Sequence, residues 1–411
     1  MGILVVIALA SVALVPSVRR ADAFFLARDE EGETPGVLTL TFSQVTTWIF
    51  ARSLLNAGLL GYAFGVAGAL AYTAYYGSFL TGWVIVDRLR FTHGVENIQA
   101  FLEARFGRVG TACFNVLIAL RLVSEVFANL LVVGIVFAEA GSVASNAAIL
   151  AVAGVTLGYA MTGGLRASLR TDVLQTTLLV VALGGLLAMM VADPLFDASA
   201  LLRSSPDLTN PGWALLVVAL LQVLSYPMHD PVMMDRGFLA DRATTRRSFM
   251  HAFWISALCI LAFGMVGVFA GLHQTGGEEL LITLERLFRG PALLILGTAL
   301  VLSAASTMDS VFSSASKLAV VDMNLASATV QNGRWAMTLF CLSGLVLVFF
   351  GTEDLFAAVA VSGTASLFLT PVIIFCILAN REVAQWSFLV TFLTAMTGAT
   401  LYFLADSGYV S

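Results

Sequence analysis

The sequence predicts an all-α polytopic membrane protein of about twelve transmembrane helices. They form a five-plus-five inverted-repeat core, with one leading and one trailing helix. Three observations carry this expectation. The chain is 59% hydrophobic and only 11% charged, with a mean hydropathy of +0.92, outside the range of soluble domains. Apolar runs long enough to cross a bilayer recur along its whole length. Two of those runs, one in each half, are broken by polar residues or prolines.

The first run, 2–18, has no positive charge before it, and Arg19 and Arg20 follow at once. That pattern retains a leading helix with its N-terminus outside. Ala21-Asp22-Ala23 also resembles a small-residue cleavage site, so a removed signal is the alternative reading. The second run, 38–55, is too polar for a plain bilayer helix, carrying Gln44, Thr46, Thr47, Arg52 and Ser53, with Asn56 just beyond. Runs at 59–87, 109–138, 144–162 and 168–191 complete the first half. The seventh, 212–235, holds Pro227 and Pro231 around Met228, His229 and Asp230. Proline removes a donor and clashes with the preceding turn, so this helix must kink or unwind. Runs at 247–271, 290–322, 334–350 and 354–378 follow, and 384–405 trails. The units are therefore 1–37 (leading helix and loop), 38–191 (first repeat), 192–378 (second repeat) and 379–411 (trailing helix).

Arginine sets the orientation. The segments after the odd-numbered runs hold Arg19, Arg20, Arg28, Arg88, Arg90, Arg105, Arg108, Arg166, Arg170, Arg236, Arg242, Arg246, Arg247, Arg334 and Arg381. The opposite loops hold only Arg203, Arg286 and Arg289, among acidic residues. The basic side faces the cytoplasm, which puts both termini outside a bacterial-type cytoplasmic membrane. The net charge of −5 comes from outer-loop acids and says little about partners. Nucleic acid is not an expected partner; the bilayer and a small solute are. Cys113, Cys259, Cys341 and Cys376 sit in apolar runs at unrelated spacings and read as packing residues. No nucleophile–base pair or metal-ligand spacing argues for an enzyme, and no organic cofactor is expected.

The most informative stretch is Ser303 to Ser316, SAASTMDSVFSSAS, inside an otherwise membrane-spanning run. Ser303, Ser306, Thr307, Ser310 and Ser314 fall on one helical face with Asp309 beside them. Neutral oxygens beside a single carboxylate suit a hard monovalent cation better than a soft metal. The plain alternative is hydroxyls gluing packed helices.

Several motifs in order resemble the sodium/solute symporter family, whose members share a ten-helix inverted-repeat (LeuT-like) core. Ala23-Phe24-Phe25-Leu26-Ala27-Arg28 is similar to its DFFLAGR, and 98–107 (IQAFLEARFG) to its TIPEYLEARYG. Gly163-Gly164-Leu165-Arg166-Ala167 with Thr171-Asp172-Val173-Leu174-Gln175 resembles GGLRAVVWTDVIQ. Asp235-Arg236 stands where the family has Gln-Arg, and Ser306-Thr307-Met308-Asp309-Ser310 matches STxDS. The resemblance implies one sodium between the second and ninth helices, held by carbonyls of Thr46, Ile49 and Ser303 and hydroxyls of Ser306 and Thr307. It further implies a second cation site or release path at Asp172, Asp309 and Ser310. For Asp172, an interfacial salt bridge with Arg166 or Arg170 is the plain alternative. The chain departs from the family in having Asp235 for Gln and in lacking a proline at 96–99. Lys317 lies about 15 Å of helix beyond Thr307 and is expected to snorkel at the interface.

Substrate candidates come from the two broken segments. They are Phe50, Arg52, Ser53 and Asn56 from the second helix, and Gln222, Tyr226, His229 and Asp230 from the seventh. Arg121 and Glu125 on the fourth are spaced to pair with each other. Arg52 needs a counter-charge: a substrate carboxylate, Glu125 or Asp230. The resemblance implies that Tyr226 is the aromatic closing the inner side of the site; an aromatic filling a kink is the alternative. His229 is either a near-neutral pH switch or a hydrogen-bonded core residue. Arg52 and Arg121 favour an anionic organic solute such as a carboxylate. Sodium-coupled uptake leads; a proton-coupled carrier or facilitator of the same fold is the alternative. A transporter-derived sensor is another, and a helper or signalling subunit stays open.

Overall fold

The computed structural model describes residues 13–28, 31–139, 141–288, 290–350 and 366–406. Every regular element among them is helical. Among the described residues six helices are long and apolar enough to cross a membrane: Ala51–Thr92, Ile98–Phe137, Val143–Ala192, Arg242–Leu272, Leu293–Asp322 and Val330–Phe350. The trailing helix runs Gln385–Asp406. The expected leading helix falls largely outside the described residues, as does 351–365 of the expected eleventh; the chain from Ser366 to Leu378 is helical.

Glycines with positive φ divide three of the long helices into shorter rods. Gly164 (φ 57°, ψ −139°) separates the fifth and sixth predicted runs inside Val143–Ala192. Gly107 (φ 64°) sets a short segment from Ile98 apart from the long rod that follows. Only glycine adopts such a backbone without strain.

The second boundary differs from expectation. A turn between 55 and 59 was expected, but helix continues from Ala51 to Gly65 (φ 64°, ψ −151°) before turning. Beyond Gly65 the amide of Val66 donates to Ser204 Oγ at 2.8 Å and that of Ala67 to Ser205 Oγ at 3.2 Å. Those hydroxyls satisfy donors that a new helix leaves open. They come from a loop more than a hundred residues away, out of reach of local sequence reading.

Both expected breaks are present. The helix Val37–Trp48 ends at Ile49 (φ −85°, ψ 68°), and Phe50 is extended (φ −61°, ψ 153°) before helix resumes at Ala51. The second break divides the seventh run into Pro211–Gln222, Tyr226–His229 and Pro231–Gly237. Asp230 is extended (φ −102°, ψ 99°) and accepts from the amide of Met233 at 2.8 Å, so Pro231 begins a new helix where its missing N–H costs nothing.

The rod holding the first break packs against Arg242–Leu272 at backbone contact. A Cβ at Gly61 would meet the Gly264 carbonyl, one at Gly267 the Gly58 carbonyl, and one at Gly271 the Tyr62 carbonyl. Small residues let membrane helices approach this closely. The outside of the fold is apolar: Val181, Leu220, Leu221, Leu258, Leu342 and Leu393 are exposed. The inside holds buried Ser, Thr, Asp and Arg. That is the polarity a bilayer demands.

Candidate functional site: a buried oxygen cluster at the broken helices

The end of the helix Val37–Trp48 supplies the first oxygens of the cluster. Its last helical bond runs from the Ile49 amide to the Val45 carbonyl at 2.9 Å, so the carbonyls of Thr46, Thr47, Trp48 and Ile49 lose their helical partners. Tyr76 Oη donates to Trp48 O at 2.8 Å and takes one of them. The Ser303 hydroxyl contacts the Ile49 carbonyl. Thr307 Oγ1 donates to Ser303 O at 2.9 Å. Ser306 Oγ donates to Asp172 Oδ1 at 2.9 Å and lies 3.0 Å from Thr46 Oγ1. Thr46, Ile49, Ser303, Ser306 and Thr307, named from the sequence, are thus brought together, all essentially buried.

Next to them lies a second group built around two carboxylates. Asp172 accepts from Ser43 Oγ at 2.6 Å; Asp309 accepts from Ser168 Oγ at 2.7 Å, Tyr159 Oη at 2.8 Å and Thr171 Oγ1 at 3.0 Å. Ser168 Oγ is also 2.8 Å from Ser310 Oγ. Asp172, Asp309 and Ser310 therefore share one buried cluster. The interfacial pairing of Asp172 with Arg166 or Arg170 is replaced by these partners and by Arg236, whose Nη2 lies 3.8 Å from Asp172 Oδ2. The reason is helical phase: Asp172 faces inward while Arg170 is exposed.

Sequence reasoning missed Ser43, Tyr159, Ser168, Thr171 and Arg236. A signal existed for part of this set. Ser168, Thr171, Asp172 and Gln175 recur at helical spacing, a polar stripe in an apolar run, of which only Asp172 was singled out.

The substrate candidates gather beside the first break. Arg52 Nη2 donates to Glu125 Oε1 at 3.0 Å, and Arg121 contacts the same carboxylate. Arg121 Nη2 also reaches Tyr226 Oη at 3.2 Å and lies 3.7 Å from Asp230 Oδ2. Glu125 is therefore the counter-charge Arg52 requires. Phe50 sits under both guanidiniums, 5.7 Å from Arg52 and 5.8 Å from Arg121. Tyr226 meets Trp48 and His229 edge-on, with ring centroids 5.4 Å away in each case. His229 is buried with no hydrogen bond to either ring nitrogen, unlike a hydrogen-bonded core histidine. Arg52 Nε and Nη1 and Arg121 Nε are likewise buried without acceptors. Ser53 accepts from Tyr72 Oη at 3.2 Å and Gln222 from Tyr75 Oη at 2.7 Å, so both are already engaged.

Lys317 departs from expectation. It is 7% exposed, with Nζ 2.8 Å from Asp235 Oδ1 and 2.9 Å from Asp322 Oδ2, rather than snorkelled. Asp235 and Asp322 supply the charge that lets an ammonium stay inside.

No family model matches the chain, and no curated protein matches it in sequence. A solved structure is similar in fold: a Na+-coupled sialic acid symporter in a substrate-bound outward-open state. It superposes with a TM-score of 0.71 at 14% identity, over 98% of this chain and 95% of that one. This chain is therefore an integral membrane protein with the fold of that symporter.

Proposed function

We propose that the chain is a sodium-coupled symporter that imports a small anionic organic solute, such as a carboxylate, by alternating access. The carrying observation is the gathering of the Ile49 and Ser303 carbonyls, the Ser306, Thr307 and Thr46 hydroxyls and Asp172 at an unwound helix end. An oxygen set of that hardness suits sodium. The solved symporter of the same fold is itself Na+-coupled, which supports the reading. The unpartnered nitrogens of Arg52 and Arg121 favour a solute rich in acceptors, since buried donors without acceptors are costly.

In this reading sodium ties the first break to the hydroxyl-rich helix and shapes the adjacent solute site. Coupling then follows from the preference of sodium for the solute-ready state. The membrane potential contributes about 2.3 kcal/mol per charge per 100 mV. Residues 38–191 and 192–378 form the two inverted repeats, both termini lie outside a bacterial-type cytoplasmic membrane, and the protein carries out no covalent chemistry. A second reading, proton coupling, draws on the adjacent buried carboxylates Asp172 and Asp309, both bonded to Ser168.

The test is thermal stability of the purified protein in sodium against potassium or choline at equal ionic strength, with and without Thr307→Ala. A ligand that binds only the folded state stabilises it by RT ln(1 + [L]/Kd), about 2.7 kcal/mol at one hundred times Kd. A sodium-specific shift that Thr307→Ala abolishes supports sodium coupling. Identical melting in all three cations shifts the weight to protons.

A further inference from the structure

The second carboxylate group already contains a cation. Arg236 is fully buried and projects from the short helix Pro231–Gly237. Its Nε donates to Ser43 Oγ at 2.9 Å, and its Nη2 donates to Ser310 Oγ at 2.8 Å and to Ser168 Oγ at 3.3 Å. Its Nη1 donates to the Val232 carbonyl at 3.3 Å, on its own helix. Asp172 Oδ2 lies 3.8 Å away, and Asp309 is reached through Ser168, which bonds both Asp309 and the guanidinium. The residues expected to bind a second cation therefore surround a guanidinium.

We propose that Arg236 is a tethered cation occupying the second cation position, so that the protein binds one sodium ion per chain. This inference rests on the sodium-coupled reading of the first position. Charge balance supports it. With both carboxylates ionised, Asp172 and Asp309 contribute two negative charges and Arg236 one positive, which leaves one negative charge in the buried cluster. A single sodium at Thr46, Ser303, Ser306 and Thr307, beside Asp172, neutralises it. A second sodium would leave an uncompensated positive charge away from water, which proteins avoid. The side chain also joins both broken helices to the hydroxyl-rich helix, since Ser43 precedes the first break, Arg236 follows the second, and Ser310 lies on Pro291–Lys317. A fixed guanidinium with several donors holds three elements together, whereas an exchangeable ion would release them on each cycle.

The experiment counts sodium bound to purified full-length protein by equilibrium binding of radioactive sodium, with choline as the balancing salt. The wild type is expected to saturate at one sodium per chain with a hyperbolic isotherm. Arg236→Gln exposes both carboxylates to solvent cations and is expected to bind two. Arg236→Lys keeps the charge and is expected to stay at one. The double variant Arg236→Gln/Asp309→Asn restores the cluster charge, is also expected to bind one, and serves if Arg236→Gln does not fold. Two sodium ions on the wild type or on the double variant would overturn the tethered cation, as would a single ion on folded Arg236→Gln. No sodium on the wild type, in a protein that still melts cooperatively, would overturn the coupling reading as well.

Discussion

Lys317 Nζ lies 2.8 Å from Asp235 Oδ1, joining the end of the hydroxyl-rich helix to the short helix that follows the second break. Asp322 completes the group at 2.9 Å and accepts from Asn97 Nδ2 at 3.2 Å. Asn97, Asp235, Lys317 and Asp322 line a cavity of about 20 Å³, room for one water at most.

Removing one partner of such a buried pair leaves a charge without compensation, at a cost of about 3–5 kcal/mol. Lys317→Gln, which leaves the buried carboxylates Asp235 and Asp322 without their cation, is therefore expected to lower the melting temperature strongly, and Asp235→Asn, which leaves Lys317 its Asp322 partner, to lower it less. The double variant is expected to lose less than the sum, with a coupling above about 1 kcal/mol. Strict additivity in a double-mutant cycle would show that the two side chains do not interact in solution.

The Arg52–Glu125–Arg121 group gives a second expectation. Glu125 is shared by two guanidiniums, and Asp230 is the only other carboxylate placed near Arg121 among the described residues. Glu125→Gln strips that charge and is expected to destabilise by several kcal/mol. If the group takes an anionic solute, a small carboxylate such as acetate should recover part of the lost melting temperature in this variant, and chloride at the same concentration should recover less. Equal rescue by both anions would point to general screening.

Packing supplies a third. Gly267 and Gly61 sit where the rods Ala51–Gly65 and Arg242–Leu272 touch through backbone. A methyl at Gly267 must push against the Gly58 carbonyl, which cannot swing aside as a side chain would. Gly267→Ala is expected to cost about 1–3 kcal/mol, measured by thermal or denaturant unfolding in detergent. Gly184→Ala is the control, because nothing lies within 4 Å of its added Cβ. A comparable loss at both positions would remove close approach as the cause.

How far the sequence reached depends on the range of the interactions. Composition and apolar runs signal membrane spans directly, because lipid imposes the same requirement on every residue of a crossing helix. The breaks at Ile49 and Asp230 were legible for the same reason: Gln44, Thr46, Pro227 and Pro231 are costly in hydrocarbon unless backbone unwinds near them. The turn at Gly65 was not legible, since Ser204 and Ser205 stabilise it from afar. The cation candidates on the hydroxyl-rich helix were visible as a one-sided stripe, but their neighbours Ser43 and Tyr159 are single polar residues whose roles depend on which helices meet. Arg236 and Lys317 were seen as interfacial charges because a lone cation near a helix end ordinarily reaches water. Their burial depends on carboxylates, Asp172 and Asp235, whose positions only the fold supplies.

The loop after Arg242–Leu272 yields a prediction on pH. Arg286 Nη2 donates to Glu278 Oε2 at 2.9 Å and to the His273 carbonyl at 2.6 Å, closing the loop against the helix Leu280–Leu287. The hydrogen-bonded guanidinium holds the Glu278 carboxyl below its usual range. A carboxyl with a depressed folded-state pKa contributes stability above the unfolded value, about 4.3, and loses it as pH falls through the folded value. Protection of the amides of Leu280–Leu287 from hydrogen exchange, corrected for intrinsic rates, is therefore expected to hold from neutrality to about pH 5 and to fall below about pH 4. Glu278→Gln keeps the size of the side chain but has no carboxyl to protonate. In that variant protection should already be lower at neutral pH and should show no further step in acid. An unchanged acid step in the variant would assign the transition to another group and remove the clip from Glu278 and Arg286.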